Sequence, residues 1–295
     1  MKTKAIGNLF ILAGILFSGL ILLPGCTSKK NLWGDTRKGL ILSYRMPESQ
    51  PLRYISTGDA LQKVEVMGQK FDVNLKSYQE YSIRAVQPAS DHMTLQITID
   101  TMYIYLKTPM KDFTPDMSDV IGRQFSIRLT SLGKELDFTQ AEAITFNLGG
   151  ETRNLAPEFQ SFFPDLPGKP VKPGDSWNYA DTIKEESGEN WLHLCVNCTA
   201  TLEGYETVNG HECAKVTVPF SGIVLGEGNM NGIGTKTTGE VSGTDQFYFD
   251  YKNGILVKII SDGTASTITK TSGAQEMTIP STRKFIKEIL SLIHI

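Results

Sequence analysis

Apolar and polar positions alternate with a period of two over two long stretches of the chain. In the first, Phe71, Val73, Leu75, Tyr81, Ile83 and Ala85 fall on one side, and Asp72, Asn74, Lys76, Glu80 and Arg84 on the other. Gln87-Pro88-Ala89-Ser90-Asp91 turns the chain, and Met93, Leu95, Ile97, Ile99, Tyr103 and Tyr105 resume the alternation. The two stretches predict one hairpin with a wet face and a dry face. Fifteen residues at about 3.3 Å each reach on the order of 50 Å, where an ordinary strand has roughly five or six residues. Strands of that length twist and curl. The expected fold is therefore mostly β, a long-stranded curved antiparallel sheet or half-barrel.

Two or three short helices are expected beside the sheet. Thr114-Pro115-Asp116 has the form of an N-cap, a first-turn proline and an acid. Pro157 with Phe159, Phe162 and Phe163 places aromatic rings at helical spacing, a stripe that more often covers a core than holds a ligand. Phe285, Ile286, Ile289 and Leu290 fit a third helix or a last strand equally well. Between the halves lies "FPDLPGKPVKPGDSWNY", whose prolines and glycines exclude regular structure before Trp177. Two similar phrases flank it, Gln124-Phe125-Ser126-Ile127 followed by Gly133-Lys134-Glu135-Leu136, and Gln246-Phe247-Tyr248-Phe249 followed by Gly254-Ile255-Leu256-Val257. They are compatible with duplicated meanders and with the general likeness of hairpins. The expected organisation is a leader over 1–25, a tether over 26–38, a first β meander over 39–163, a Pro/Gly connector over 164–176 and a second meander over 177–295.

The leader reading comes from Lys2 and Lys4, the apolar run Ala5 to Leu23, and the stop at Pro24-Gly25. Leu23-Pro24-Gly25-Cys26 resembles the lipobox of bacterial lipoproteins. That resemblance implies cleavage between Gly25 and Cys26 and lipidation of the Cys26 sulfur. Each buried methylene contributes about 0.8 kcal/mol, so two or three acyl chains anchor a protein durably. An uncleaved signal anchor is the alternative, which the helix-breaking Pro-Gly before Cys26 disfavours. Thr27-Ser28-Lys29-Lys30 carries no acid, which resembles lipoproteins sorted to the outer membrane and facing the periplasm. Loss of residues 1–25 moves the formal charge from −3 to −5, which leaves no basic field for nucleic acid.

Several stretches have the look of chemistry. His193, Cys195, Cys198, His211 and Cys213 carry zinc-like spacings. On a strand, however, the even positions Leu192, Leu194, Val196, Cys198, Ala200 and Leu202 are dry, so Cys195 and Cys198 face opposite ways. An Asn209-Gly210 turn pairs Val208 with His211, and a bulge at Gly204 keeps both dry faces together. Cys213 then lies beside residues 205–207, far from Cys195, and His211 and Cys213 are expected on the wet face. No metal site and no cofactor are expected, and the thiols read as structural. Gly174-Asp175-Ser176 resembles the opening block of one serine-hydrolase family, but its place after prolines and the lack of a late Asp-x-x-His mark it as the turn that launches a strand. The glycines at 222, 226, 228, 232, 234, 239 and 243 lack a phosphate-loop pattern and read as turns and close strand packing. The histidines show no base with a visible partner.

"LPGKPVKPGDSW", "LEGYETVNGHECAKV" and "FDYKNGILVK" together resemble a family of Bacteroidota-type bacterial lipoproteins of unknown function. In architecture alone, the expected half-barrel is similar to lipid-carrying lipoproteins that hold acyl chains under short helices. The resulting expectation is a membrane-anchored, non-catalytic protein of the cell envelope, binding a hydrophobic or envelope ligand in its curved sheet through residues the sequence does not identify. The alternative is a structural component that meets another envelope protein.

Overall fold

The computed structural model describes residues 33–47, 50–88, 91–230, 232–272 and 276–292. The leader, the Gly25-Cys26 cleavage site and the lipidation residue Cys26 lie outside the described residues, as does His294. In chain order the strands are β1 (Gly34–Asp35), β2 (Gly39–Leu40), β3 (Leu52–Val66), β4 (Gln69–Pro88), β5 (His92–Lys107), β6 (Asp112–Phe113), β7 (Gln124–Thr130) and β8 (Glu135–Leu136). Helix α1 (Thr139–Glu142), β9 (Thr145–Leu148), β10 (Glu151–Asn154) and α2 (Ala156–Phe159) follow. The chain continues with β11 (Ser176–Ser187), β12 (Asn190–Val208), β13 (His211–Met230), β14 (Ile233–Asp250), β15 (Ile255–Thr271) and β16 (Thr278–Ser291).

Among the described residues, twelve strands form one curved antiparallel sheet that does not close. Strands β11 to β16 run up and down in sequence order. β16 then pairs with β3, Phe285 opposite Ala60 and Ile289 opposite Ser56, and the sheet continues through β4, β5, β7 and β8. The two meanders therefore fuse edge to edge. Their repeated phrases occupy the β7–β8 and β14–β15 turns, and both turns abut one crossing segment. The Tyr44 N–H donates to the Ser131 carbonyl at 2.8 Å and the Arg45 N–H to the Gly254 carbonyl at 2.9 Å. Gly254, at φ 74°, leaves no room for a Cβ against Ser43 and Arg45.

Alternation sets the core. Tyr54, Tyr81, Ile83, Leu95, Ile97 and Ile99 from one meander, and Ala200, Leu202, Ala214, Val216, Phe247 and Phe249 from the other, share the concave face and are buried. The segment from α2 into the connector fills what they enclose. Phe159, Phe162 and Phe163 follow the Pro157 turn and pack edge-on against Tyr81, Tyr54 and Tyr44 with ring centroids 5.1 to 5.5 Å apart. The segment through Leu40, Leu42 and Tyr44 closes the same end of the concavity, tied to the connector by reciprocal Leu40–Val171 hydrogen bonds of 2.7 and 2.9 Å. The aromatic stripe is thus core.

Three local expectations need correction, and one open alternative is resolved. Residues 114–117 are irregular and lead into one turn, in which the Asp116 carboxylate accepts the Ser118 N–H at 2.9 Å, so the Thr114-Pro115-Asp116 start is not extended into a helix. Of the two readings open at Phe285, the structure has the last strand, β16, and two short helices exist among the described residues, within the expected two or three. In β5 the dry face changes phase: a bulge opposite Glu80/Tyr81 puts Met102 and Ile104 inside and leaves Tyr103 48% exposed. Finally, His211 and Cys213 are buried, because on the convex side Cys213 packs with Tyr248, Val257 and Val208.

Candidate functional site

The strands of β11 to β16 run on past the aromatic plug, and there the concavity stays open. Burial along β14 shows the change: Phe247 and Phe249 are fully buried, whereas the inward positions Thr235 and Thr237 are only partly so. A cavity of about 740 Å³ lies at this end, between the Gly149-Gly150 turn of the β9–β10 hairpin and the ends of β11 to β14. Arg153, Glu185, Asn190, Trp191, Leu192 and Thr237 are among its walls. Gly226 and Gly228 line it too, and small residues keep the space. A second cavity of about 460 Å³ lies in the seam where the sheet fails to close, between Lys134 and Phe138 on one side and Thr182 and Lys184 on the other.

Charged groups on the concave side are placed by the same alternation that builds the core. Arg153 of β10 pairs with Glu185 of β11 and with Glu151. Lys287 of β16 reaches Glu158 of α2 at 2.9 Å, and Lys134 bridges the open seam to Asp181 of β11 at 2.8 Å. Burial raises the Asp245 carboxyl to about 6, with a Ser261 hydrogen bond and the Lys287 charge opposing. Burial likewise raises Asp165 to about 6, helped by Asp181 and opposed by Lys134. Glu135 is buried and held well above the carboxylate range by desolvation, while its Oε1 accepts the Phe163 N–H at 2.8 Å. Glu135 through Phe163, and Lys287 through Glu158, tie the segment from α2 to the connector inside the sheet.

The residues with metal-like spacing are not brought together. Cys198 is in the core and its thiol is raised by burial to about 12, Cys195 faces the convex side opposite Ile223, and Cys213 pairs with Glu206 of β12 across the predicted turn and bulge. All three thiols are free, and among the described residues no group of His, Cys, Asp and Glu is arranged to hold a metal ion. Asp175 closes the turn before β11 by accepting the Lys172 N–H at 2.9 Å.

The histidines do have partners that the sequence did not disclose. His92 meets Asp91 at 2.7 Å, His193 meets Glu186 at 2.8 Å, and His211 meets Asp250 at 2.7 Å with both side chains buried. The last pair looks like a base and its orienting acid, yet among the described residues no activated nucleophile stands beside it. The Cys213 thiol lies 3.5 Å from the His211 carbonyl and burial lifts it to about 12. Asp250 instead organises the β14–β15 turn, accepting the N–H groups of Lys252 at 3.0 Å and Asn253 at 2.9 Å. A pairing of β13 with β14 that puts Cys213 opposite Asp250 was needed to find it.

No family model matches the chain, and no curated protein matches it. Among solved structures, Pseudomonas aeruginosa OccK2 (OpdF) overlays with a TM-score of 0.25 at 7% identity, covering 83% of this chain and 99% of that one. A putative exported protein with a YmcC-like fold from Bacteroides fragilis gives 0.24 at 9% identity, covering 82% and 97%. The β domain of the Bordetella autotransporter BrkA gives 0.24 at 8%, covering 83% and 100%. At such TM-scores these overlays carry no inference about fold or function.

Proposed function

We propose that this chain is a lipid-anchored, non-catalytic binding protein of the cell envelope, tethered through Cys26 to the periplasmic side of the outer membrane, with its ligand in the open end of the concavity. The observation that carries this reading is the 740 Å³ cavity, a size suited to a small molecule, kept open where the rest of the concave face is filled by the chain's own rings. Because the most apolar part of the concavity is occupied, a wholly hydrophobic guest is disfavoured. The walls suit an envelope ligand that presents polar groups to Arg153, Asn190 and Thr237 and an apolar portion to Leu192.

The test is extraction and mass spectrometry of small molecules that co-purify with the full chain from a bacterial envelope. A defined compound is expected with the native protein and not with Thr237→Trp, which fills the cavity. Recovery of the same compound from both would refute the site. Metabolic labelling with palmitate addresses the anchor, and label that persists in Cys26→Ser would refute lipidation there.

A specific surface favours the second reading, a partner protein. On the convex side Ile223 and Leu225 are 48% and 38% exposed, next to Cys195 and His193 across the β12–β13 pair. Envelope crosslinking from a photoreactive residue at 223 that recovers no protein would remove it.

A further inference from the structure

Whether Cys26 is lipidated or the apolar run Ala5 to Leu23 stays as an anchor, the membrane attachment precedes residue 27. Trp33, the first described residue, lies at the plugged end of the body. Its carbonyl accepts the Ile41 N–H at 2.8 Å, beside the Leu40–Val171 bonds to the connector. A lipid on Cys26 is joined to Trp33 only through residues 27–32, which at full extension reach at most about 25 Å. The open cavity is at the far end: Asn190, on its wall, lies on the order of 40 Å along β12 from Leu202, the residue that bonds the connector turn at Gly174 and Asp175. A bilayer entered by that lipid therefore lies nearest the plugged end.

The surface there is basic, although the chain as a whole is acidic. Arg37 and Lys38 lie in the β1–β2 turn, and a Cβ at Gly39 would come within 3.0 Å of Pro170, so Lys38 abuts the stretch that carries Lys169 and Lys172. All four cations are exposed. Arg37 shares the carboxylate of Asp35, whereas Lys38, Lys169 and Lys172 make no ion pair among the described residues. The neighbouring carboxylates are engaged in their own turns: Asp35 accepts the Arg37 N–H at 2.8 Å, and Asp175 accepts the Lys172 N–H at 2.9 Å. Apolar side chains stand beside the lysines. Ile41 is 44% exposed, and Leu132, which lies against Gly168 and receives the Leu166 N–H on its carbonyl, is 39% exposed. Unpaired lysines beside exposed apolar groups suit an anionic bilayer, whose headgroups attract the charges and whose interface takes the apolar chains.

We infer that this surface, built from Arg37, Lys38, Ile41, Leu132, Lys169 and Lys172, docks on the anionic phospholipid face to which the chain is anchored and holds the cavity away from the bilayer. The inference rests on the anchoring reading above and adds the orientation of the body. Each basic residue near such a face raises partitioning by about fivefold, and at 1 M salt the screening length of about 3 Å removes that gain.

The experiment places a photoreactive residue at 132, or at the similarly exposed position 225 of the open end, in the full lipidated chain. The chain is reconstituted into phosphatidylcholine vesicles with and without phosphatidylglycerol, and lipid adducts are counted by mass spectrometry. With phosphatidylglycerol at low salt, the yield at 132 is expected to exceed that at 225 by about tenfold or more. It is expected to fall at least about fivefold in pure phosphatidylcholine, in 1 M salt, and in the triple variant Lys38→Gln, Lys169→Gln, Lys172→Gln. The triple variant keeps the wild-type Tm, because the three side chains are exposed and unpaired. Equal yields at 132 and 225 would mean that the body swings freely on its tether. A yield at 132 that ignores lipid charge, salt and the triple variant would remove the lysines' role. Adducts between two chains at 132 would give the surface to a second copy. Any of these three overturns the docking, while palmitate label on Cys26 leaves the anchor standing. A chain without that label overturns the anchor and this proposal together.

Discussion

Single carboxyls in this protein answer acid in opposite directions. Asp250 is held low: burial opposes its charge, but the Asn253 side chain, the Asn253 N–H and His211 outweigh that cost. A carboxyl depressed by folding adds stability above its unfolded pKa, and this is lost as pH falls through its folded value. Asp245 is raised to about 6, so its ionised form costs the fold stability at neutral pH, and the cost fades as pH falls from 6 toward 4. Asp245→Asn should therefore gain about 2 kcal/mol at pH 7.5 and nothing near pH 4, whereas Asp250→Asn should lose stability at pH 7.5. Urea denaturation at the two pH values measures both, and equal effects of one sign would contradict this assignment. Glu135 offers a sharper contrast. Burial holds its carboxyl well above the usual carboxylate range, and its Oε1 receives the Phe163 N–H. Glu135→Gln should be nearly neutral, while Glu135→Ala strands a buried donor and should cost about 1–3 kcal/mol in the same assay.

Among elements, the four-residue helix α2 does more than its length implies, because the rings on and just after it touch several strands. Phe162 is fully buried and packs against Tyr54 of β3, Tyr81 of β4 and Phe163 beside it. Phe162→Ala should cost about 3–5 kcal/mol, and the loss should appear as a lower midpoint in denaturant with an unchanged slope. A loss under 1 kcal/mol would mean that the plug is not part of the cooperative core. The alternation in β4 and β12 is readable because the more apolar face of each strand is the more covered one, fully so at Tyr81, Ile83, Ala200 and Leu202. What defeats it is the bulge: Glu80/Tyr81 opposite Ile99/Thr101 shifts the phase, so that Tyr103, polar at one end and aromatic at the other, reads as dry and is wet. The Gly204 bulge was legible, because a glycine sat where two dry faces had to be reconciled. The Thr114-Pro115 start failed for a related reason: capping residues start a helix, but an apolar stripe must follow for packing to extend it.

Over the whole molecule, stability is unevenly shared. One end of the sheet holds the rings, the crossing segment and the connector, while the ends of β12 to β16 carry partly exposed residues on both faces. Hydrogen exchange should accordingly be slowest at Val216, Phe247 and Ile259 and faster by orders of magnitude toward Leu225, Thr237 and Ile268 in the same strands. Uniform protection along β13 to β15 would show that the open end is as firmly held as the plugged one. The seam is a weaker joint. Lys134 and Asp181 form a partly exposed pair worth about 0–1 kcal/mol, so the unclosed edge depends mostly on the connector packed behind it.

The sequence by itself determined what repeats locally: the two-residue alternation, the turns at Asn209-Gly210 and Asp175, the connector, and hence a curved antiparallel sheet. It also put Cys195 and Cys198 on opposite faces of one strand and, in the register set by the Asn209-Gly210 turn and the Gly204 bulge, Cys213 far from Cys195. Only the tertiary structure decided that β16 joins β3 and that His211 finds Asp250. Those facts depend on register between strands distant in the chain, where many pairings satisfy the same alternation. The energy that selects among them comes from how the enclosed rings fit together.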